Sequence, residues 1–132
     1  FSLLPDRPDW RWLIIGPERS GSTFHVDPNA TSAWNACLSG RKKWVLFPPG
    51  VHPPGVYPSE DGSQVACPHS AIEWFHGFYE ASISLSDKSL RPRECVVEAG
   101  QVIFVPRGWW HMVINLEESV AITQNLVSRT NL

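Results

Sequence analysis

The sequence lacks the features that define several large protein classes. Its three cysteines, Cys37, Cys67 and Cys95, are an odd number without Cys-x-x-Cys spacing, which argues against a disulfide framework and favours a reducing, intracellular compartment. No apolar run approaches the roughly 18 residues of a membrane-spanning helix, so no membrane association is expected. The formal net charge is -2 and basic residues cluster only at 41–43, which gives no electrostatic sign of direct nucleic-acid binding.

Prolines, tryptophans and short apolar runs are what the sequence does contain. It has 12 prolines and 7 tryptophans in 132 residues, a composition that indicates strands joined by rigid turns rather than a helical bundle. Apolar runs that end at Gly or Pro predict strands over residues 10–16, 31–40 and 42–50, and strands resume after Arg93.

Residues 50–93 differ from the rest of the chain. Pro, Ser, Gly and Asp interrupt this stretch and no apolar period persists, so we predict an irregular insert. One short helix is predicted within it over residues 70–82, with Ser70 as its N-cap and Glu73 completing a capping box. Beyond the insert, hairpin turns are predicted at 98–100, 106–108 and 117–118.

Many short strands with almost no helix predict an all-β antiparallel sandwich or barrel. A jelly roll of the cupin-like kind fits this pattern, with an interior lined by alternate residues of each strand. The length of 132 residues corresponds to one domain. Because the sequence starts at Phe1 and not at a methionine, we expect residues 1–132 to be a fragment of a longer chain.

The stretch "STFHVDPNAT" contains a candidate metal site. His25 and Asp27 are two apart, so in an extended segment both side chains lie on the same face and reach one ion. His111, in "PRGWWHMVINL", is the best candidate for a third ligand. Two histidines and one carboxylate form the facial triad that binds Fe(II). The alternatives are that Asp27 and Pro28 simply begin a turn, and that His111 is a packed core residue.

Two longer stretches carry a family resemblance. The segments "GPERSGSTFHVDPNATSAWNACLSGRKKWVLFPPG" and "GQVIFVPRGWWHMVINLEESVAITQN" resemble the two halves of a JmjC-domain oxygenase, an Fe(II)- and 2-oxoglutarate-dependent enzyme built on a double-stranded β-helix. Within that family they are most similar to the phosphatidylserine-receptor-type branch, which is known for lysyl hydroxylation and arginine demethylation. The middle of the chain does not match closely.

The resemblance implies roles for eight residues. The iron ligands would be His25, Asp27 and His111. Lys42 and Thr123 would bind the distal carboxylate of 2-oxoglutarate. Three more would line the same pocket: Asn35, Ser22 and Asn125.

The residues themselves bear on two of these roles. Lys42 begins a strand that is apolar on both faces, where a buried lysine needs an anionic partner; the alternative is that residues 41–43 form a solvated charge run. On the last strand, Ala121, Thr123 and Asn125 share a small, partly polar face, which suits a ligand cavity or an ordinary solvent-facing side.

The tryptophans have open interpretations. Trp109 and Trp110 either wall the iron site and exclude water from it or pack in the core. We assign Trp34 and Trp44 to the core.

The function implied is a dioxygenase that hydroxylates protein side chains, as lysyl hydroxylases do, or demethylates N-methyl groups, with succinate and CO2 as co-products. Its substrate would be a protein or peptide, such as a histone or another basic nuclear protein, and the branch implies a nuclear location. Two alternatives are a non-catalytic JmjC-like module that keeps the metal pocket, and a cupin chemistry without 2-oxoglutarate.

A second metal is a weaker hypothesis. Thiolate and imidazole groups in "CPHSAIEWFH" could hold a structural zinc ion, through Cys67, His69 and His76 together with Cys95. Ordinary loop residues are the favoured interpretation.

Overall fold

A computed structural model describes residues 11–59 and 65–127 of the chain. Its strands are β1 (Arg11–Gly16), β2 (Gly21–His25), β3 (Ser32–Ser39), β4 (Arg41–Phe47), β5 (Tyr57–Pro58), β6 (Val65–Ala66), β7 (Arg93–Glu98), β8 (Val102–Val105), β9 (Trp110–Asn115) and β10 (Ser119–Leu126). Its helices are α1 (Ala71–Gly77) and α2 (Tyr79–Ile83), with single 3-10 turns at Pro28–Ala30 and Lys88–Leu90. Within those described ranges, no helix has the length and apolar character needed to cross a bilayer.

The strands form two four-stranded sheets. The first sheet has the order β1-β10-β3-β8 and the second the order β2-β9-β4-β7, and all pairings are antiparallel. Along the chain the strands are shared between the two sheets instead of completing one sheet first. The predicted all-β, cupin-like jelly roll is therefore confirmed.

One hydrophobic core joins the two sheets. It contains residues from β3 and β8 of the first sheet and from β4, β7 and β9 of the second: Cys37, Trp44, Leu46, Val97, Val105 and Val113. Since successive residues of a strand point to opposite faces, Trp44 and Leu46 face this interior while Val45 and Phe47 lie in another core.

That other core lies between the second sheet and α1. Trp74 of α1 is fully buried against Phe24 and Phe47, and its indole Nε1 donates to the carbonyl of Pro54 at 2.8 Å. The insert therefore covers the second sheet, which leaves the space between the sheets as the place for a ligand.

The predicted helix starts where expected but is shorter. Ser70 and Glu73 form the predicted capping box, with both reciprocal hydrogen bonds present. The helix ends at Gly77 because Phe78 has φ -128° and ψ -18°, outside helical geometry, and α2 follows as a separate short helix. The predicted strand over 42–50 likewise ends earlier, at Phe47, since the prolines at 48 and 49 offer no N–H to a strand ladder.

The predicted turns are found between strands, but the strands that each turn joins lie in different sheets and do not pair, so their prediction as hairpin turns is wrong. The 98–100 turn separates β7 from β8, and Gly100 adopts a φ of 84° there. The 106–108 turn leads into β9, with Gly108 at a φ of 79°. Both conformations are left-handed, which glycine adopts without a steric penalty.

Candidate active site

His25, Asp27 and His111 converge at one end of the second sheet. His25 is the last residue of β2 and lies directly opposite His111 of β9. Asp27 follows two residues later in extended conformation. One potential ligand atom from each of the three side chains lies within 4.8 Å of the other two, and Nε2 of His111 is 3.8 Å from Oδ1 of Asp27.

The turn after Asp27 exists, but it does not use the carboxylate. A 3-10 turn begins at Pro28, and Asp27 at its N-cap makes no capping hydrogen bond. Its Oδ2 is buried and has no hydrogen-bond partner. Because a buried carboxylate oxygen without a partner is costly, the turn alone does not account for Asp27, whereas a bound cation does.

Backbone carbonyls orient both imidazole rings in the same way. Nδ1 of His25 lies 2.8 Å from the carbonyl of Thr23, and Nδ1 of His111 lies 3.0 Å from that of Trp109. A carbonyl only accepts hydrogen bonds, so each Nδ1 carries the proton and each Nε2 keeps its lone pair for a metal.

Electrostatics keep His111 neutral. The pKa of His111 is lowered to about 4: burial is the largest cause and the neighbouring His25 adds to it, while Asp27 and the hydrogen bond to the Trp109 carbonyl oppose it in part. The neutral imidazole is the form that ligates metals. Two imidazole nitrogens and one carboxylate oxygen fit Fe(II), and three protein ligands leave coordination positions for other molecules.

The second-metal hypothesis finds no support in the described residues. Among residues 11–59 and 65–127, the triad is the only group of at least three His, Cys, Asp or Glu side chains that lie close enough together to share an ion. Cys67 donates to the backbone carbonyl of His69, whose ring packs on Phe78. The favoured interpretation of Cys67, His69, His76 and Cys95 as ordinary residues agrees with this geometry.

A cavity of about 820 Å³ between the sheets opens onto the triad. All eight site residues inferred from the sequence line it: His25, Asp27, His111, Lys42, Thr123, Asn35, Ser22 and Asn125. They come from β2, the segment that follows it, β4 and β9 on one side and from β3 and β10 on the other. Residues that are far apart in the sequence are thus brought to one surface.

Lys42 is a buried cation in this cavity. Only 3% of Lys42 is exposed, and its Nζ donates to Oδ1 of Asn115 at 2.6 Å. Burial lowers the pKa of Lys42, opposed in part by Cys37. Because Lys42 is buried, the solvated charge run is the wrong alternative for this residue. No described carboxylate pairs with Lys42. An anion in the cavity would supply the missing partner.

The polar groups opposite Lys42 come from the first sheet. Thr123 lies across from Asn35 in the β10–β3 pair, and its hydroxyl donates to the carbonyl of Trp34 at 3.1 Å. To donate to a ligand instead, this hydroxyl must rotate away from that carbonyl. Oδ1 of Asn35 is buried without a partner, and Asn125 donates from Nδ2 to Oγ1 of Thr31 at 2.7 Å. This face of β10 therefore borders the cavity and not the solvent.

Trp44 lines the cavity together with Trp12 and Trp34, whereas the pair that the sequence singled out does not. Trp34 is only half-buried and belongs to neither core, so its assignment to the core is wrong. Trp44 is buried in the core between the two sheets, as expected, and its ring stacks on that of His111 with the ring centroids 6.1 Å apart. Its indole N–H has no hydrogen-bond partner. Trp109 and Trp110 do not line the cavity. Trp109 packs against the core between the two sheets, and Trp110 lies in the core between the second sheet and α1, so the wall hypothesis for them is wrong.

Sequence reasoning also missed Asn115. It shares a strand face with His111 and Val113, and all three line the cavity. The alternation along β9 was the signal that could have identified it, because a polar residue on the same face as a metal ligand points into the same space.

Comparison with known families supports the geometry. Residues 2–126 match the model of the cupin-like domain family. The Drosophila melanogaster CENP-C cupin domain superposes with a TM-score of 0.54 at 8% identity, over 89% of this chain and 56% of that one. At that identity the likeness concerns the fold alone.

Curated relatives are named for oxygenase and demethylase activities. The chain is 65% identical over 127 residues to Arginine-specific demethylase JMJ22 of Arabidopsis thaliana, covering 96% of this chain and 25% of the relative. It is 43% identical over 127 residues to Bifunctional arginine demethylase and lysyl-hydroxylase psr-1 of Caenorhabditis elegans, covering 96% and 32%. It is 35% identical over 138 residues to 2-oxoglutarate and iron-dependent oxygenase JMJD4 of Homo sapiens, covering 96% and 29%. The chain therefore spans between a quarter and a third of the length of these relatives.

Proposed function

Since the chain belongs to the family of cupin-like domains, with JmjC-type oxygenases among its relatives, we propose that it is the catalytic domain of an Fe(II)- and 2-oxoglutarate-dependent dioxygenase. The reaction is hydroxylation of a protein side chain, as in lysyl hydroxylases, or demethylation of an N-methyl group, with succinate and CO2 as co-products. One observation carries the proposal: the triad and the buried ammonium of Lys42 line the same cavity.

The triad residues would hold the iron, and the bound iron with 2-oxoglutarate would supply the oxidising chemistry on O2. His25 and His111 contribute imidazole nitrogens that their backbone carbonyls already orient. Asp27 contributes the negative charge that offsets part of the charge of a divalent cation.

The remaining pocket residues would orient the dicarboxylate. Lys42 supplies a positive charge that no described carboxylate neutralises, and Thr123 and Asn35 supply polar atoms from the facing sheet. Two anchor points, the metal at one end and Lys42 at the other, fix both the position and the direction of a five-carbon dicarboxylate.

The two outcomes differ only in the atom that receives the hydroxyl group. A hydroxyl group on a side-chain carbon gives a stable alcohol, whereas one on an N-methyl carbon gives a hemiaminal that releases formaldehyde. Both outcomes occur in the name of the psr-1 relative. We therefore include both products in the proposal, with the substrate deciding which one forms.

Neither alternative function accounts for both Lys42 and the complete triad. A cupin chemistry without 2-oxoglutarate has no need for a buried cation facing the metal site, and a non-catalytic module has no need for a complete triad. The names of the relatives support the enzyme. A protein substrate fits these names, and we extend the proposal to a histone or another basic nuclear protein and to a nuclear location.

Mass spectrometry of peptides tests the proposal. Lysine-rich and N-methylarginine-containing peptides from basic nuclear proteins are incubated with the protein, Fe(II), 2-oxoglutarate and O2. We expect one peptide class to gain an oxygen atom or to lose a methyl group, and the change to vanish in Asp27→Ala. Unmodified peptides across both classes would contradict the proposed substrates, and modification by Asp27→Ala would contradict the site.

A further inference from the structure

Asn115 connects the buried lysine to a turn at the edge of the cavity. It is 3% exposed, and its Oδ1 accepts the 2.6 Å hydrogen bond from Lys42 Nζ. On its other side, Nδ2 donates to Oγ of Ser20 at 3.0 Å and to the carbonyl of Pro17 at 3.3 Å. One side chain thus joins the strand that carries Lys42 to the turn between β1 and β2.

The chemistry of these partners fixes the orientation of the amide. The carbonyl of Pro17 only accepts, and the hydroxyl hydrogen of Ser20 is already donated to that same carbonyl at 2.7 Å. Both partners therefore require the NH2 group of Asn115 on their side. The carbonyl oxygen of the amide must then face the ammonium of Lys42, which only donates.

Backbone bonds hold Asn115 and the turn together as well. The N–H of Asn115 donates to the carbonyl of Ser20 at 2.8 Å, and its own carbonyl accepts from the N–H of Arg19 at 2.8 Å. A Cβ at position 16 would lie 2.5 Å from Ser20 Oγ and 2.8 Å from Asn115 Nδ2, so any larger residue than glycine would have to displace one of these side chains. The turn is packed directly against the amide.

The choice of an amide has an electrostatic consequence. An aspartate in the place of Asn115 would still accept from the ammonium, but it would neutralise the charge and could not donate to Ser20 and Pro17. A dicarboxylate would then gain little from binding beside the lysine. The neutral amide accepts one N–H of Lys42, so two N–H groups and the whole positive charge stay available to a ligand in the cavity. The neighbouring Lys43 shows the other arrangement, since Glu94 pairs with it at 2.8 Å.

We propose that Asn115 is a positioning residue for the anion anchor: braced by Ser20 and Pro17, its amide aims the ammonium of Lys42 into the cavity without neutralising it. This inference rests on the proposed function, because it takes Lys42 to bind the distal carboxylate of 2-oxoglutarate. It assigns a role to a residue outside the triad and outside the predicted pocket set.

The test compares binding of 2-oxoglutarate among variants by calorimetry on the Mn(II)-loaded protein without O2. Asn115→Asp, nearly the same size, is expected to raise the Kd of 2-oxoglutarate at least about tenfold and to leave Mn(II) affinity unchanged. Ser20→Ala, which removes one brace and leaves the lysine untouched, is expected to raise the Kd about threefold. Gln124→Glu on the outer face of β10, beside Arg11, adds the same charge elsewhere and is the matched control.

A second ligand separates positioning from a merely structural effect. 2-Oxobutyrate keeps the metal-binding end of the cosubstrate and lacks its distal carboxylate, so Asn115→Asp is expected to leave its Kd unchanged. An equal loss for both ligands, or unchanged 2-oxoglutarate binding in Asn115→Asp and Ser20→Ala, overturns the inference. If Lys42→Met also binds 2-oxoglutarate like the unsubstituted chain, the failure lies in the proposed function and not in Asn115 alone.

Discussion

Lys42 and Lys43 are neighbours in β4, yet they occupy opposite faces of the second sheet and opposite electrostatic situations. Lys42 points into the cavity and is 3% exposed, with an amide as its partner. Lys43 lies on the other face, where Nζ is 2.8 Å from Oε2 of Glu94. One ammonium keeps its charge for a ligand, and the other is already paired.

The two lysines form a matched pair for mutation. Lys42→Met removes the cavity cation while retaining a long apolar side chain, and we expect it to weaken 2-oxoglutarate binding by about tenfold or more, since a charge-assisted contact contributes about 1.5–3 kcal/mol. Lys43→Met should leave this affinity unchanged. The Kd is measured by calorimetry on Mn(II)-loaded protein, and equal effects of the two substitutions would refute the assignment of Lys42.

Binding of 2-oxoglutarate should weaken at alkaline pH. Burial lowers the pKa of Lys42 from its ordinary value, and a bound carboxylate favours the ammonium and raises that pKa again. The affinity for 2-oxoglutarate is therefore full below the pKa that Lys42 has in the ligand-free protein, and it falls as pH rises through that pKa. Calorimetric titrations from neutral to alkaline pH should show this decline with proton uptake on binding.

Two variants serve as controls for the pH profile. Lys42→Met should abolish the decline, because the titrating group is gone, and Lys43→Met should retain it. A profile that stays flat in the unsubstituted chain is inconsistent with an ammonium anchor at Lys42.

The triad should determine metal affinity. Asp27→Asn keeps the size of the side chain and removes its charge, so we expect binding of Fe(II) or Mn(II) to weaken at least about tenfold. His76→Ala, in the last turn of α1 and outside the metal group, should bind the metal normally. Metal content after anaerobic loading and desalting distinguishes the two, and equal content would rule out Asp27 as a ligand.

The insert should stabilise the domain through Trp74. Trp74→Ala removes a fully buried ring from the core between α1 and the second sheet, and we expect it to lower the free energy of unfolding by about 3–5 kcal/mol. Ser70→Ala, which breaks the capping box, should cost about 1 kcal/mol. Urea unfolding measures both values. A loss below about 1 kcal/mol for Trp74→Ala would mean that the insert does not support the sheet.

Local patterns in the sequence predicted the strands and suggested the triad, which the family resemblance then assigned in full. Alternation along the strands placed His25 beside Asp27 and placed Thr123 beside Asn125, and the structure puts each pair on the cavity side. The capping box at Ser70 was also predictable, because it depends only on residues within one helical turn. These features require no knowledge of how the two sheets pack.

Features that depend on packing could not be predicted in this way. Trp44 lies far from His111 in the sequence, whereas Trp109 and Trp110 are close to it, so only the packing of β4 beside β9 shows that Trp44 stacks on His111. Asn115 meets Lys42 across the β4–β9 pair and meets Ser20 across the β2–β9 edge. Such contacts join residues distant in sequence, so their register had to be known first.

Turnover of 2-oxoglutarate measures the proposed chemistry most directly. Succinate formation is followed with Fe(II), 2-oxoglutarate, O2 and a responsive peptide, each omitted in turn, in the unsubstituted chain and in His25→Ala, with His52→Ala as an exposed-histidine control. We predict succinate only when all components are present, loss of that activity in His25→Ala, and normal activity in His52→Ala. Succinate formation that persists in His25→Ala at the rate of the unsubstituted chain would contradict the triad as the catalytic metal site.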